Sequence, residues 1–144
     1  MRTLLIWIVV LFLVWFGWKW VQKQQHTNTV ASAGASAAQS CASAASSAAD
    51  AWGDGVGRFA NPPYDTTAWD SFRSDIESRA RRAEEKCTCS ENACTTARSA
   101  MSDLRNLIAE MDQSLRSGSP PPSDLVQRQE AIDNAVNRAR DEAK

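Results

Sequence analysis

The sequence predicts an all-α protein: an N-terminal transmembrane helix followed by a small, disulfide-stapled antiparallel bundle of three to four helices. Three observations predict this class. An 18-residue apolar run near the N-terminus holds a single charge, the rest of the chain repeats apolar residues every three or four positions, and all four cysteines fall in that second part.

The apolar run is Leu4–Val21, LLIWIVVLFLVWFGWKWV, with Lys19 near its end. As a helix rising about 1.5 Å per residue it spans about 27 Å, close to a hydrocarbon core of about 30 Å. Helix is the expected form, because lipid cannot satisfy free backbone N–H and C=O groups. Leu4, Trp7 and Leu11 belong to the apolar body, and Trp15, Trp18 and Trp20 cluster at one end as an interfacial aromatic belt. Residues 1–3 are then a cytoplasmic N-terminus, 4–21 the anchor, 22–30 a juxtamembrane linker, and 31–144 an extracytoplasmic helical domain. A cleaved signal peptide is the alternative, with Ala31-Ser32-Ala33 offering small residues to a peptidase, and the domain would then be secreted. The apolar run exceeds a usual h-region of about 7–15 residues, and this favours an uncleaved signal anchor.

Charge leaves the orientation nearly balanced, since Arg2 precedes the run while Lys19 and Lys23 end and follow it. The cysteines decide it. Four of them in a small helical domain fit an oxidising compartment, which places the domain outside the cytoplasmic membrane, in the periplasm of a bacterium. Leaving out Arg2, Lys19 and Lys23, which flank or interrupt the anchor, 13 basic residues face 17 acidic ones, a net of −4. This mild acidity is not the basic face of a nucleic-acid binder.

The exported part, Thr27–Lys144, has 18 large apolar or aromatic side chains against 23 alanines. So thin a core calls for covalent help. Its first helix is expected over 31–52, where Gly34, Ala38, Cys41, Ala45, Ala48 and Trp52 recur at heptad-like spacing as a stripe of mostly small residues. Gly53–Tyr64 holds three glycines and a Pro pair and predicts a loop. The second helix is expected over 66–87, opened by a Thr67/Asp70 capping box. Trp69, Phe72, Ile76, Ala80, Ala83 and Cys87 line its buried face, with Asp75/Arg79, Glu77/Arg81 and Arg81/Glu85 pairs outside. The third, 91–116, carries two adjoining stripes, Ala93-Ala97-Ala100-Leu104-Leu107-Met111 and Cys94-Met101-Ile108-Leu115, and so belongs at the centre of the bundle. Ser117–Pro122 ends it. A fourth, 124–142, begins at Ser123 as N-cap and buries Leu125, Ile132, Val136 and Ala139.

Cys87, Cys89 and Cys94 sit at the corner between the second and third helices, and Cys41 lies within the first. A Cys87–Cys89 bridge would close a very small strained ring. With Ser90 as N-cap, Cys89 and Cys94 take the two positions that touch in a hydrophobic staple. Cys87 then continues the inward stripe towards Cys41. Cys41–Cys87 with Cys89–Cys94 is therefore preferred. Cys87–Cys94 with Cys41–Cys89 is the rival, favoured if Thr88 and Glu91 cap the helix instead. Zinc sites pair their ligands as C-x2-4-C, and redox sites of the thioredoxin type use C-x-x-C, so neither metal nor cofactor is expected here. The C-x-C-x4-C corner resembles a short motif of uncharacterised exported helical proteins of bacteria. The resemblance covers about eight residues and implies a disulfide-stapled helical hairpin without an activity.

No catalytic constellation emerges. His26, the single histidine, lies in the polar linker. Asp50, Asp54 and Gly55 match part of a calcium loop, but Trp52 and Asn61 break it. The expected function is that of a membrane-anchored, non-enzymatic binding or structural module. Its expected contacts are membrane lipid through the anchor and an envelope protein. A phage inner-membrane spanin-like lysis protein is similar in size, anchor and helical exported region, although alanine-rich helix, proline breaks and clustered cysteines depart from that plan. An immunity-type inhibitor of an envelope toxin is a further alternative.

Overall fold

The computed structural model describes residues 33–144, with side chains from residue 37 onward. Four α-helices follow one another: α1 (Ala33–Val56), α2 (Thr66–Lys86), α3 (Asn92–Arg116) and α4 (Leu125–Glu142), with a 3₁₀ turn at Gly57–Phe59. No strand occurs among the described residues.

Contacts between helices give the topology. α1 meets α2 through Cys41–Cys87 near one end and Trp52–Trp69 near the other. α2 meets α3 through Glu84–Arg105 and Asp70–Arg116. α3 meets α4 through Glu110–Arg128 and Thr96–Glu142. α4 returns to α1, where Gln129 lies beside Gly53 and Arg140 shares a cleft with Ser43. In every pair a higher residue number on one helix meets a lower number on the other. The helices therefore run up-down-up-down, each antiparallel to both neighbours, and the bundle closes on itself.

Most of the described inward positions are those that the spacing predicts, although Phe72 and Leu125 are only partly buried at the edge of the core. Ala38, Cys41, Ala45, Ala48 and Trp52 of α1 are at most 1% exposed. α3 contributes ten buried residues, among them Met101, Leu104, Leu107, Ile108 and Met111. It thus holds most of the large aliphatic side chains of the core, while α1 contributes chiefly methyl groups. No polar or charged residue is fully buried among those described.

The boundaries differ from expectation in ways the core explains. Gly53–Tyr64 is not all loop. α1 continues to Val56 and tightens into the 3₁₀ turn, so that Val56 and Phe59 reach the interior at 5% and 3% exposure. Burying two such side chains is worth about 1.5–3 kcal/mol each, more than the roughly 1 kcal/mol each helical glycine costs. Asp65, rather than a Thr67/Asp70 box, caps α2. Its carboxylate accepts from the Ala68 N–H at 2.9 Å, and its carbonyl accepts from the Trp69 N–H. Starting there places Trp69 in the first turn, pointing into the core. Cys87 is the C-cap of α2, just outside the helix. Glu91 rather than Ser90 precedes α3, and Asp124 rather than Ser123 precedes α4, neither with a side-chain cap bond. α3 ends in a Schellman turn: Ser119 N–H bonds to Ser114 C=O, Gly118 N–H to Leu115 C=O, and Gly118 adopts φ +70°. On the surface of α2 the Asp75–Arg79 pair forms at 2.9 Å, whereas Glu77 pairs with Arg73 at 3.4 Å and Arg81 makes no ion pair with a described residue.

Candidate functional site

The two ends of the bundle are built differently. At one end α1, the 3₁₀ turn after it and α2 bring together Trp52, Phe59, Trp69 and Phe72. Trp52 stacks on Phe72 with ring centroids 5.8 Å apart, and Phe59 meets Trp69 edge-on at 5.2 Å. Gly55 makes this approach possible, because a Cβ there would lie only 2.8 Å from Phe72 Cζ. The Arg58 guanidinium lies 5.6 Å from the centres of both phenylalanine rings.

The indole of Trp69 also ties this cluster to α3. Its Nε1 donates to Asp112 Oδ1 at 2.8 Å. Asp112 accepts from Arg116 Nε at 3.0 Å, Arg73 Nε stands 3.6 Å away, and Arg116 reaches on to Asp70 at 2.6 Å. Partial burial opposes ionisation of Asp112. The hydrogen bonds from Arg116 and Trp69, with the charges of Arg73 and Arg116, outweigh it and hold the carboxyl below its ordinary value. The arrangement clamps α2 to α3. Asp70, Asp112 and Arg116 are satisfied within the fold, while Arg73 Nε is buried and makes no hydrogen bond, only the ion pair to Asp112.

At the opposite end stand the sulfurs. Cys41 is bonded to Cys87 across α1 and α2 with Cα atoms 4.7 Å apart, and Cys89 to Cys94 across the corner at 5.7 Å. This is the first of the two connectivities weighed from helix geometry. Cys41, Cys87 and Cys94 are completely buried, whereas Cys89 is only partly so. Arg98 Nε donates to the Cys87 carbonyl at 3.0 Å and pins the end of α2 to α3.

Between the ends, α1 turns a face of short side chains outward, with Ser40, Ser43 and Ser47 exposed beside Asp50 and Asp54. Because these residues are short, shallow clefts run on both sides of the helix. The cleft towards α4 is about 590 Å³, with Asp50 and Asp54 from α1, Arg140 from α4 and Lys144 just after it. The one towards α2 is about 330 Å³ and is edged by Arg79, Arg82 and Lys86. Asp133 of α4 is raised above its ordinary value by partial burial and by the negative charges of Asp50 and Glu130.

Asp50 and Asp54 stand one turn apart on a continuous helix, not in a loop that could wrap a cation. Among the described residues no group of three or more His, Cys, Asp or Glu is placed to hold a metal ion. None of the described helices is long and apolar enough to cross a membrane. Leu4, Trp7, Leu11, Trp15, Trp18, Trp20 and His26 lie outside the described residues. Two features escape the sequence reading. Gly55 as a contact point carries no pattern of its own. The Trp69–Asp112 bond joins residues 43 apart and has no local signal. Comparison of the chain with protein-family models, curated proteins and solved structures finds no match.

Proposed function

We propose that this protein is a membrane-anchored, extracytoplasmic helical module that acts by binding an envelope protein rather than by catalysis. The observation that carries the reading is the pair of disulfides in a bundle with no polar or charged residue in the described core. Disulfides of this kind persist in oxidising compartments. The 18-residue apolar run before the domain supplies a way to reach one and remain attached.

The polar groups fit the same reading. Among the surface charges, Glu84–Arg105, Asp70–Arg116 and Glu110–Arg128 tie neighbouring helices together, and the histidine lies in the linker. A rigid surface held by two covalent bonds suits recognition, since little conformational freedom is lost on binding. A closed four-helix bundle also weighs against the extended coiled coil of a spanin-like lysis protein.

Fractionation of cells expressing the full chain tests the reading, combined with thiol blocking before and after reduction. The expected result is a protein that resists alkaline extraction from membranes and shows no free thiol until reduced. Recovery of the full chain in the cytosol with four alkylatable cysteines would overturn it. Photocrosslinking from Ser43 and from Ala131 then maps which exposed face meets the partner.

A further inference from the structure

We infer that Cys89–Cys94 is a thiol-exchange site, open to a small-molecule thiol at Cys89, while Cys41–Cys87 is a closed structural bond. Access separates them first. Exchange requires a thiolate to approach one sulfur along the S–S axis. Cys41 and Cys87 are each 0% exposed beneath the packed α1–α2 contact, so their bond is reached only when the helices part. Cys89 lies in the irregular corner between α2 and α3 and is partly exposed.

Fold integrity separates them next. Cys41–Cys87 bridges residues 46 apart and joins two helices, so cutting it removes the covalent link between α1 and α2. Cys89–Cys94 bridges residues 5 apart within one corner. That corner is held independently by the Arg98–Cys87 carbonyl bond and by Cys87 N–H bonds to Ala83 and Glu84. Opening the short bridge therefore leaves the bundle assembled.

The position of Cys94 favours it as the leaving group. It is the third residue of α3, within the first helical turn, where free backbone N–H groups stabilise a thiolate. The step balances as a simple exchange. The incoming thiolate forms a new S–S bond to Cys89, the Cys89–Cys94 bond breaks, and Cys94 leaves as a thiolate that takes up a proton. The product is a mixed disulfide on Cys89 and one free thiol on Cys94. Neither the exchange nor its outcome depends on where the domain resides.

Oxidised full-length protein in detergent, treated with reduced glutathione, quenched with N-ethylmaleimide in denaturant so that buried thiols react, and mapped by peptide mass spectrometry, provides the test. Glutathione is expected on Cys89 and alkylation on Cys94, at least about tenfold faster than any opening of Cys41–Cys87, with helical circular dichroism unchanged. The double variant Cys41→Ala/Cys87→Ala, if it folds, should exchange at Cys89 at the unaltered rate. Adducts on Cys94 instead of Cys89, opening of both bonds at similar rates, or no exchange at either bond would each overturn the inference.

Discussion

Replacing Gly55 with alanine separates helix propensity from packing, because the two predict opposite signs. Gly55 lies in the last turn of α1, and on propensity alone alanine there should stabilise by about 0.5–1 kcal/mol. The tertiary structure opposes this. The added methyl would stand 2.8 Å from Phe72 Cζ and 3.0 Å from Cδ2, well inside van der Waals contact. The ring has little freedom to retreat, since Trp52, Phe59 and Trp69 surround it at centroid distances of 5.8, 5.4 and 6.0 Å. Overpacking of this kind costs about 1–3 kcal/mol, so the net expectation is a loss of about 1–2 kcal/mol. In a domain of this size that lowers Tm by roughly 4–8 °C. Gly57→Ala is the internal control, because a Cβ there meets nothing within 4 Å and the variant should be no less stable than the parent. Chemical denaturation of the three proteins, with Phe72→Leu added in a double-mutant cycle, measures the effect. A Gly55→Ala protein as stable as Gly57→Ala would refute the close approach of α1 to Phe72.

Four further outcomes follow from the same packing. Removing Cys41–Cys87 as the double alanine variant should cost about 4 kcal/mol and removing Cys89–Cys94 about 2, from the separations of 46 and 5 residues, read from denaturation midpoints. Asp112→Ala should destabilise by about 1–3 kcal/mol near neutral pH, because it leaves the Trp69 N–H without its acceptor. The folded-state value of Asp112 is lowered from 3.8, so its contribution is complete above that pH and is lost as pH falls through the folded value. The gap between wild type and variant should therefore narrow in acid. Asp133→Asn should act in the opposite sense. The folded-state value is raised, so the penalty for ionised Asp133 is absent below 3.8 and complete once pH exceeds the folded value. Thermal melts should show the variant more stable at neutral pH and equal in acid. Gly118→Ala should lose about 1 kcal/mol from backbone strain alone, since φ is +70° and no atom lies within 4 Å of the new methyl.

Sequence by itself determined the helices and their inward faces. Alanine, cysteine and tryptophan at spacings of three and four along α1, and the double stripe along α3, allow one orientation of each helix towards a core, and the described stripe residues are buried accordingly. This is legible because helical periodicity is local: one turn is enough to place a side chain on a face. The cysteine pairing was half legible for the same reason. Cys87 directly follows the inward stripe of α2, whereas the staple positions expected for Cys89 and Cys94 required Ser90 as N-cap, and the short bridge forms although Glu91 takes that place.

Tertiary structure alone decided the rest. The extension of α1 through Gly53–Val56 runs against local propensity, and it follows from burial of Val56 and Phe59 against partners beyond the loop. Asp65 displaces Thr67 as cap because Trp69 must enter the core in the first turn of α2. The Trp69–Asp112 clamp and the seat of Phe72 on Gly55 join helices through contacts that no neighbouring residue announces. Local spacing sets which face of a helix is apolar. How closely two such faces approach, and where a helix stops, depends on the volume of side chains brought from elsewhere in the chain.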